Sequence, residues 1–210
     1  MLSLKPWPYV AFADDDAEFD SGTITGNVHA NDEVELNSAT VTGTVTTGGN
    51  KSLPVIDWAY YQTQATNQGQ YVSGNKDFEN ETITGIWYVT GDVKFEEECN
   101  LTGTVVSRQK ITIDDDEDDG NFQTGSPNLP LFVAKDEIKC KKSTLLTGFI
   151  YAGDEFESGS HNAVNVQGAI IAGEKIDLEN SATLIYDKNY SSNILGMDWG
   201  TIQAVKWVVN

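Results

Sequence analysis

The chain reads as an all-β protein: a right-handed parallel β-helix (β-solenoid) with one inserted α-helix and terminal caps. Three observations predict this. First, a short phrase recurs as Thr23-Ile24-Thr25-Gly26, Thr40-Val41-Thr42-Gly43 and Thr82-Ile83-Thr84-Gly85. Weaker copies stand at Leu101-Thr102-Gly103, Leu145-Leu146-Thr147-Gly148 and Val164-Asn165-Val166-Gln167-Gly168. Gly26 and Gly43 are 17 residues apart, a period too short for a helical repeat and suited to one solenoid turn. Second, apolar and polar residues alternate within each unit, the period of a strand with one buried face. Third, Gly, Asn, Asp and Ser separate the alternating halves, and these residues turn a chain easily. A single coil cannot cover its own apolar face, so coils must stack. The expectation is a winding rung by rung in chain order, right-handed by the general crossover preference.

Residues 1–12 hold Trp7 and two prolines. They predict a lead-in that caps the first coil's open end. The β-helix itself is expected over 13–187. Its first two units, starting at Ala13 and Ala30, align without gaps. The third coil begins at Thr44-Val45-Thr46 and is interrupted by a helix near 55–68. There Asp57 suits an N-cap, Trp58, Tyr61 and Ala65 recur at helical spacing, and Gln68-Gly69 ends the pattern. Stacking resumes at Asp77-Phe78, and an acidic loop is expected near 114–130. Three later units open with Leu131-Phe132-Val133-Ala134, Phe149-Ile150-Tyr151-Ala152 and Ala169-Ile170-Ile171-Ala172. These near-continuous apolar runs predict strands buried on both faces, under a flanking helix. Residues 188–210, with Trp199 and Trp207, are expected to form a C-terminal cap, because solenoid ends expose unpaired strand edges.

The 210-residue chain carries a net charge of −19 and has a pI near 4.2. Such a chain repels nucleic acid and anionic membranes. No run is long enough to span a bilayer. Cys99 and Cys140 do not make a disulfide framework. Cys140 alternates with Ile138 and should point inward, Cys99 falls in a turn, and a single bridge between them requires an exported chain. The start, Met1-Leu2-Ser3-Leu4, lacks the basic region and apolar core of a signal peptide. A leader or anchor is therefore expected to be missing from this sequence.

Five phrases occur in order: Ala11-Phe12-Ala13-Asp14, Gly26-Asn27-Val28-His29-Ala30-Asn31-Asp32, Pro54-Val55-Ile56-Asp57-Trp58-Ala59-Tyr60-Tyr61, Trp87-Tyr88-Val89-Thr90-Gly91-Asp92-Val93 and Gly148-Phe149-Ile150-Tyr151-Ala152-Gly153. The series resembles the β-helical C-terminal region of PilX-type proteins associated with bacterial type IV pili, over roughly residues 9–187. The resemblance implies a non-enzymatic structural or adhesive protein, extracellular or on a bacterial cell surface. It implies pilus subunits or other copies of the chain as partners, with a glycan or surface ligand. It supplies no catalytic motif. Bactofilins, polymer-forming bacterial β-solenoids, are similar in architecture only.

The sharpest local feature is Asp114-Asp115-Asp116-Glu117-Asp118-Asp119-Gly120. Alternate carboxylates before a glycine can wrap a hard cation, so Asp114, Asp115, Asp116, Glu117, Asp118 and Asp119 are candidate Ca2+ ligands. The twelfth-position Glu of a complete calcium loop is missing, and six adjacent acids also suit a solvated loop. Stacked coils would bring Asp14 to Asp16, Asp32, Glu33, Asp77, Asp92, Asp136, Glu137, Asp154, Glu155 and Glu174 onto one edge, as a cation ladder or simply a turn that prefers Asp. The Thr-x-Thr pairs could form a flat threonine ladder, as in ice-binding solenoids. Thr is equally a good exposed strand residue, and the copies fade after the third, which favours the plainer reading. His29 and His161 lie in no metal-binding spacing, and Arg108 is the one arginine. Catalysis is therefore not expected. The alternative is a carbohydrate-active β-helix, a polysaccharide lyase, hydrolase or glycan binder. Patterns for N-glycosylation stand at Asn80, Asn100 and Asn189.

Overall fold

The computed structural model of the chain describes residues 7–114, 121–159, 161–191 and 193–199. The chain enters through β1 (Tyr9–Ala13), β2 (Ala17–Thr25), β3 (Asn27–Ala30), β4 (Val34–Val41) and β5 (Val45–Thr47). A short β6 (Val55–Ile56) and helix α1 (Trp58–Gln68) follow. Then come β7 (Tyr71–Val72), β8 (Lys76–Glu79), β9 (Thr82–Val89), β10 (Val93–Glu96), β11 (Asn100–Ser107), β12 (Ile111–Asp114) and β13 (Asn121–Gln123). The remaining strands are β14 (Pro130–Ala134), β15 (Ile138–Cys140), β16 (Thr144–Ala152), β17 (Phe156–Ser158), β18 (Val164–Ala172), β19 (Ile176–Tyr186) and β20 (Met197–Asp198). All but β6 and β20 belong to one parallel β-solenoid, as the alternating pattern predicts.

The order of the rungs departs from chain order. Along one side the strands run β5–β3–β1–β18–β16–β14–β11–β9–β7, all parallel. Ala11 of β1 pairs with Val28 on one side and with Ile170 on the other. The chain therefore starts in the middle of the stack and climbs to the β4–β5 end. The segment holding α1 carries it to the far end at β7, and it winds back until β18 and β19 meet β1 and β2. This corrects the expected rung-by-rung order. Of the expected lead-in over 1–12, residues 1–6 lie outside the described residues, while Tyr9–Ala13 form an interior rung paired on both edges and close no open end.

Each coil has three straight runs. On the first, the helix side, the interior strands are buried on both surfaces, while β5 and β7 at the two ends stay partly exposed. Inward residues such as Ala11, Val28, Ile150 and Ile170 join the central core, while Phe12, Val106, Val133, Phe149 and Ile171 face outward under a second apolar layer. The apolar runs of β14, β16 and β18 are thus explained. α1 covers the β7–β9 end of this side through buried Tyr61 and Ala65. The expected helix is present, starting at Trp58; Asp57 accepts from the Tyr60 N–H at 3.0 Å, and Gly69 closes the helix in the left-handed conformation at φ 72°. The Tyr61 hydroxyl donates to the Leu195 carbonyl at 2.6 Å. Burial raises its pKa, helped by nearby Tyr60 and Asp57. Residues 188–191 and 193–199 also lie along this side: β20 pairs with β6, and Trp199 packs on Trp7 and Phe149 with ring centroids 5.0 Å and 5.6 Å away. Residues 200–210 of the expected C-terminal cap, with Trp207, lie outside the described residues.

The core is a column of stacked side chains. Phe78 stacks on Phe95 at 5.2 Å, and Phe95 meets Phe122 and Phe132 at 5.1 Å and 5.6 Å. Burying each such ring contributes about 1.5–3 kcal/mol. Cys99 and Cys140 are both buried thiols; burial, with Glu157 nearby, pushes the Cys140 thiol up to about 12. The two ends of the column differ. At the far end Phe78 is fully buried, because Trp87 packs edge-on at 5.1 Å and the Lys76 ammonium sits 4.5 Å from its ring centre. At the β4–β5 end Leu36 and Val45 remain 37% and 39% exposed. No helix among the described residues is long and apolar enough to cross a membrane.

Candidate functional site

The second and third runs of each coil both face solvent and differ sharply in chemistry. On the second, the outward residues in register are Glu35, Glu18, Asp177, Glu157, Lys139, Thr112, Lys94 and Asp77. Nearly all are charged, and the lysines bridge rungs. Lys175 meets Glu18 at 2.7 Å and Asp177 at 2.9 Å, and Lys139 is paired with Glu157. A hydrogen bond to the Glu18 carboxylate leads the causes that raise the Lys175 pKa.

The third run carries two outward columns. One is Thr40, Thr23, Thr183, Asn165, Leu145, Asn121, Asn100 and Thr82. The other continues from Thr42 through Thr25, Ile185, Gln167, Thr147, Gln123, Thr102 and Thr84. Neither column holds a charged side chain. Between them Val41, Ile24, Leu184, Val166, Leu146, Phe122, Leu101 and Ile83 point into the core. Parallel rungs lie about 4.8 Å apart and alternate residues on one strand about 6.6 Å apart, so the columns form a regular two-dimensional net.

Glycine ends this face at the corner leading to the helix side, which explains the closing residue of the recurring phrase. A Cβ on Gly103 would stand 2.3 Å from the Gly85 carbonyl oxygen, and one on Gly43 2.1 Å from that of Gly26. Glycine lets these consecutive rungs approach this closely at the corner, and where Tyr186 takes the place on β19 its neighbours are both glycine, Gly168 and Gly26.

The acidic edge exists, in spatial rather than chain order. Backbone bonds join Asp32 to Asp15, Asp15 to Glu174, Glu174 to Asp154 and Asp154 to Asp136. Asp92 lies at the same corner, where its carboxylate accepts from the Lys110 N–H at 3.3 Å. Asp77 is the exception: it sits within β8, opposite Lys94.

Of the candidate calcium ligands, Asp115, Asp116, Glu117, Asp118 and Asp119 lie outside the described residues. Asp114 closes β12, 3.4 Å from the Lys94 ammonium and 3.3 Å from that of Lys141. Its partial burial raises its pKa, but the hydrogen bonds and charges of Lys141 and Lys94 outweigh this and hold it below the usual aspartate range. Among the described residues no group of three or more His, Cys, Asp or Glu is placed to hold a metal ion.

His29 is fully buried and points to the helix side. Its Nδ1 lies 2.8 Å from the Thr46 hydroxyl and its Nε2 3.0 Å from Asn31 Oδ1, while the ring stacks on Phe12. It ties β3 to β5. His161 stands exposed in a turn.

Neither a protein-family model nor a curated protein matches the chain in sequence. Solved structures do resemble it. An ice-binding protein from an Arctic yeast superposes with a TM-score of 0.51 at 11% identity, covering 86% of this chain and 92% of that one. The ice-binding domain from Shewanella frigidimarina gives 0.48 at 12% identity over 88% and 99%, and an ice-binding protein from the Antarctic ascomycete Antarctomyces psychrotrophicus 0.45 at 14% over 86% and 96%. The expected PilX-type identity is thereby corrected, for the Arctic yeast neighbour is an ice-binding protein and no family match supports pili. The pilus and adhesive function, its bacterial surface setting and the carbohydrate-active alternative lose their support with it. Four of the five ordered phrases fall on rungs and turns of the solenoid, and the fifth, Pro54–Tyr61, falls on β6 and the start of α1.

Proposed function

We propose that this chain binds ice, without enzymatic activity, through the face carrying the Thr40–Thr82 and Thr42–Thr84 columns. The observation that supports this is a contrast. A chain with a net charge of −19 keeps one long face free of charge, while the adjoining face is almost wholly charged. Charged groups order water around themselves. A regular net of hydroxyls, amides and methyls can instead hold water in the repeating positions that a crystal lattice demands, and first-shell water bridges such groups at small entropic cost. The Arctic yeast neighbour is an ice-binding protein with antifreeze activity, which agrees with this reading. An extracellular setting belongs to the same proposal, because ice reaches a cell from outside.

Two measurements test it. Thermal hysteresis should separate the melting and freezing points in solutions of the protein. Ice grown slowly from such a solution should take the protein up. A protein left entirely in the liquid, with no hysteresis, rejects the proposal.

A further inference from the structure

We infer that ice is engaged by only part of this face: the three-rung hydroxyl array formed by β4, β2 and β19. This inference rests on the proposed ice-binding function. Two unbroken hydroxyl columns cross those rungs, Ser38–Ser21–Ser181 and Thr40–Thr23–Thr183. Thr42 and Thr25 begin a third column, in which Ile185 takes the next place. Farther along the stack the face changes character. Asn165, Asn121 and Asn100 replace threonine in one column, and Leu145, half exposed, interrupts it.

The second difference is in how the polar groups are used. Gln167 Nε2 donates to Asp187 at 3.1 Å, and Gln123 Nε2 donates to the Thr102 hydroxyl at 3.2 Å. Amides and hydroxyls of the far part are thus partly consumed by the protein itself. In the array one hydroxyl makes a bond within the protein, the long contact from Thr42 to the Ile24 carbonyl at 3.4 Å. The other hydroxyls have no hydrogen-bond partner among the described residues and are open to water.

The third difference is stiffness. Threonine is branched at Cβ and holds few χ1 rotamers, whereas Asn and Gln swing more freely. A hydroxyl net on threonine is therefore organised before water arrives, which lowers the entropic cost of recognition. The array also owes its existence to the fold. Thr23 and Thr183 become neighbours only because the second strand of the chain packs on the last rung of the returning coils.

The test compares bulky substitutions inside and outside the array. Thr23→Tyr and Thr40→Tyr place a ring within it, and Asn121→Tyr places the same ring in the far part. All three positions are exposed on strands that tolerate tyrosine. Far-ultraviolet dichroism and melting curves verify folding, and Thr40, on the outermost rung, remains informative if Thr23→Tyr fails to fold. The expected result is that thermal hysteresis is lost in the array variants and kept in Asn121→Tyr. Equal losses at all three sites, loss at Asn121 alone, or no loss anywhere would overturn the array while leaving wild-type ice binding in place. A wild-type protein without hysteresis would overturn the proposed function and the array with it.

Discussion

Replacing Gly103 with alanine tests the stacking on which the proposed face depends. Its added Cβ would lie 2.3 Å from the Gly85 carbonyl oxygen and 3.0 Å from the Gly85 nitrogen, where ordinary contact begins near 3.4 Å. The obstacle is backbone on both counts, so no side chain can swing away. The β9 and β11 rungs must part by about 1 Å at the corner, and the ladder that pairs Thr102 with Thr84 opens with them. Overpacking of this kind costs about 1–3 kcal/mol. For a domain of this size each kcal/mol lowers Tm by roughly 2–4 °C, so Gly103→Ala should melt about 2–12 °C below wild type. Gly125→Ala is the control: its Cβ would meet its nearest neighbour, Gly103 Cα, at 3.4 Å, an ordinary contact. It should leave Tm unchanged or raise it slightly, since alanine narrows the unfolded ensemble. Differential scanning calorimetry of the three proteins decides the matter. Equal melting temperatures for Gly103→Ala and wild type would refute the claim that this corner is set by backbone contact.

Asp57→Ala removes the acceptor that caps α1 and should cost about 1 kcal/mol in denaturant unfolding, with Asp57→Asn losing much less; equal losses would point away from capping. Asp114 titrates below the usual aspartate range in the folded chain, so its stabilising contribution is present above about pH 4 and fades as pH falls through its lowered folded value. It is a partly exposed ion pair, so the effect should stay under about 1 kcal/mol. Wild type and Asp114→Asn should therefore differ in urea midpoint at pH 7 and converge at low pH, and a gap that persists into acid would reject the assignment. For calcium at Asp114–Asp119, adding the ion at about one hundred times its Kd to chelator-treated protein should stabilise it by about 2.7 kcal/mol. An unchanged melting curve would dispose of that site.

Much of the architecture can be read from the residues. Alternation in units such as Ala17-Glu18-Phe19 gives both the strand and the face it buries. Asp57 and Gly69 mark the ends of α1 because capping is a local interaction. Rung order is not local. Every rung offers its neighbours the same kind of surface, apolar residues inside and turn residues at the corners. Nothing near Ala11 in the chain announces Ile170 as its partner. The candidate face was obscured for the same reason. Read along the chain, the threonine phrases weaken after Gly85, and the returning coils break the pattern with Asn165 and Leu145. In space Thr183 lies beside Thr23, and Thr82 and Thr84 close the opposite end. The glycine ending each phrase was the better clue, because it reports a corner shared by all the rungs.

The seam between β1 and β18 has a consequence for how the protein is made. During synthesis the opening strands emerge first, yet one of their two edges waits for a partner about 160 residues downstream. Until the closing coil leaves the ribosome, the nascent β1–β5 segment presents a bare parallel edge, and pairing across so wide a sequence gap is intrinsically slow. Docking of β18 on β1 thus joins two separately wound parts of the stack, and a polypeptide halted shortly before Val164 would retain every early strand and still lack the surface on which the first of them must settle.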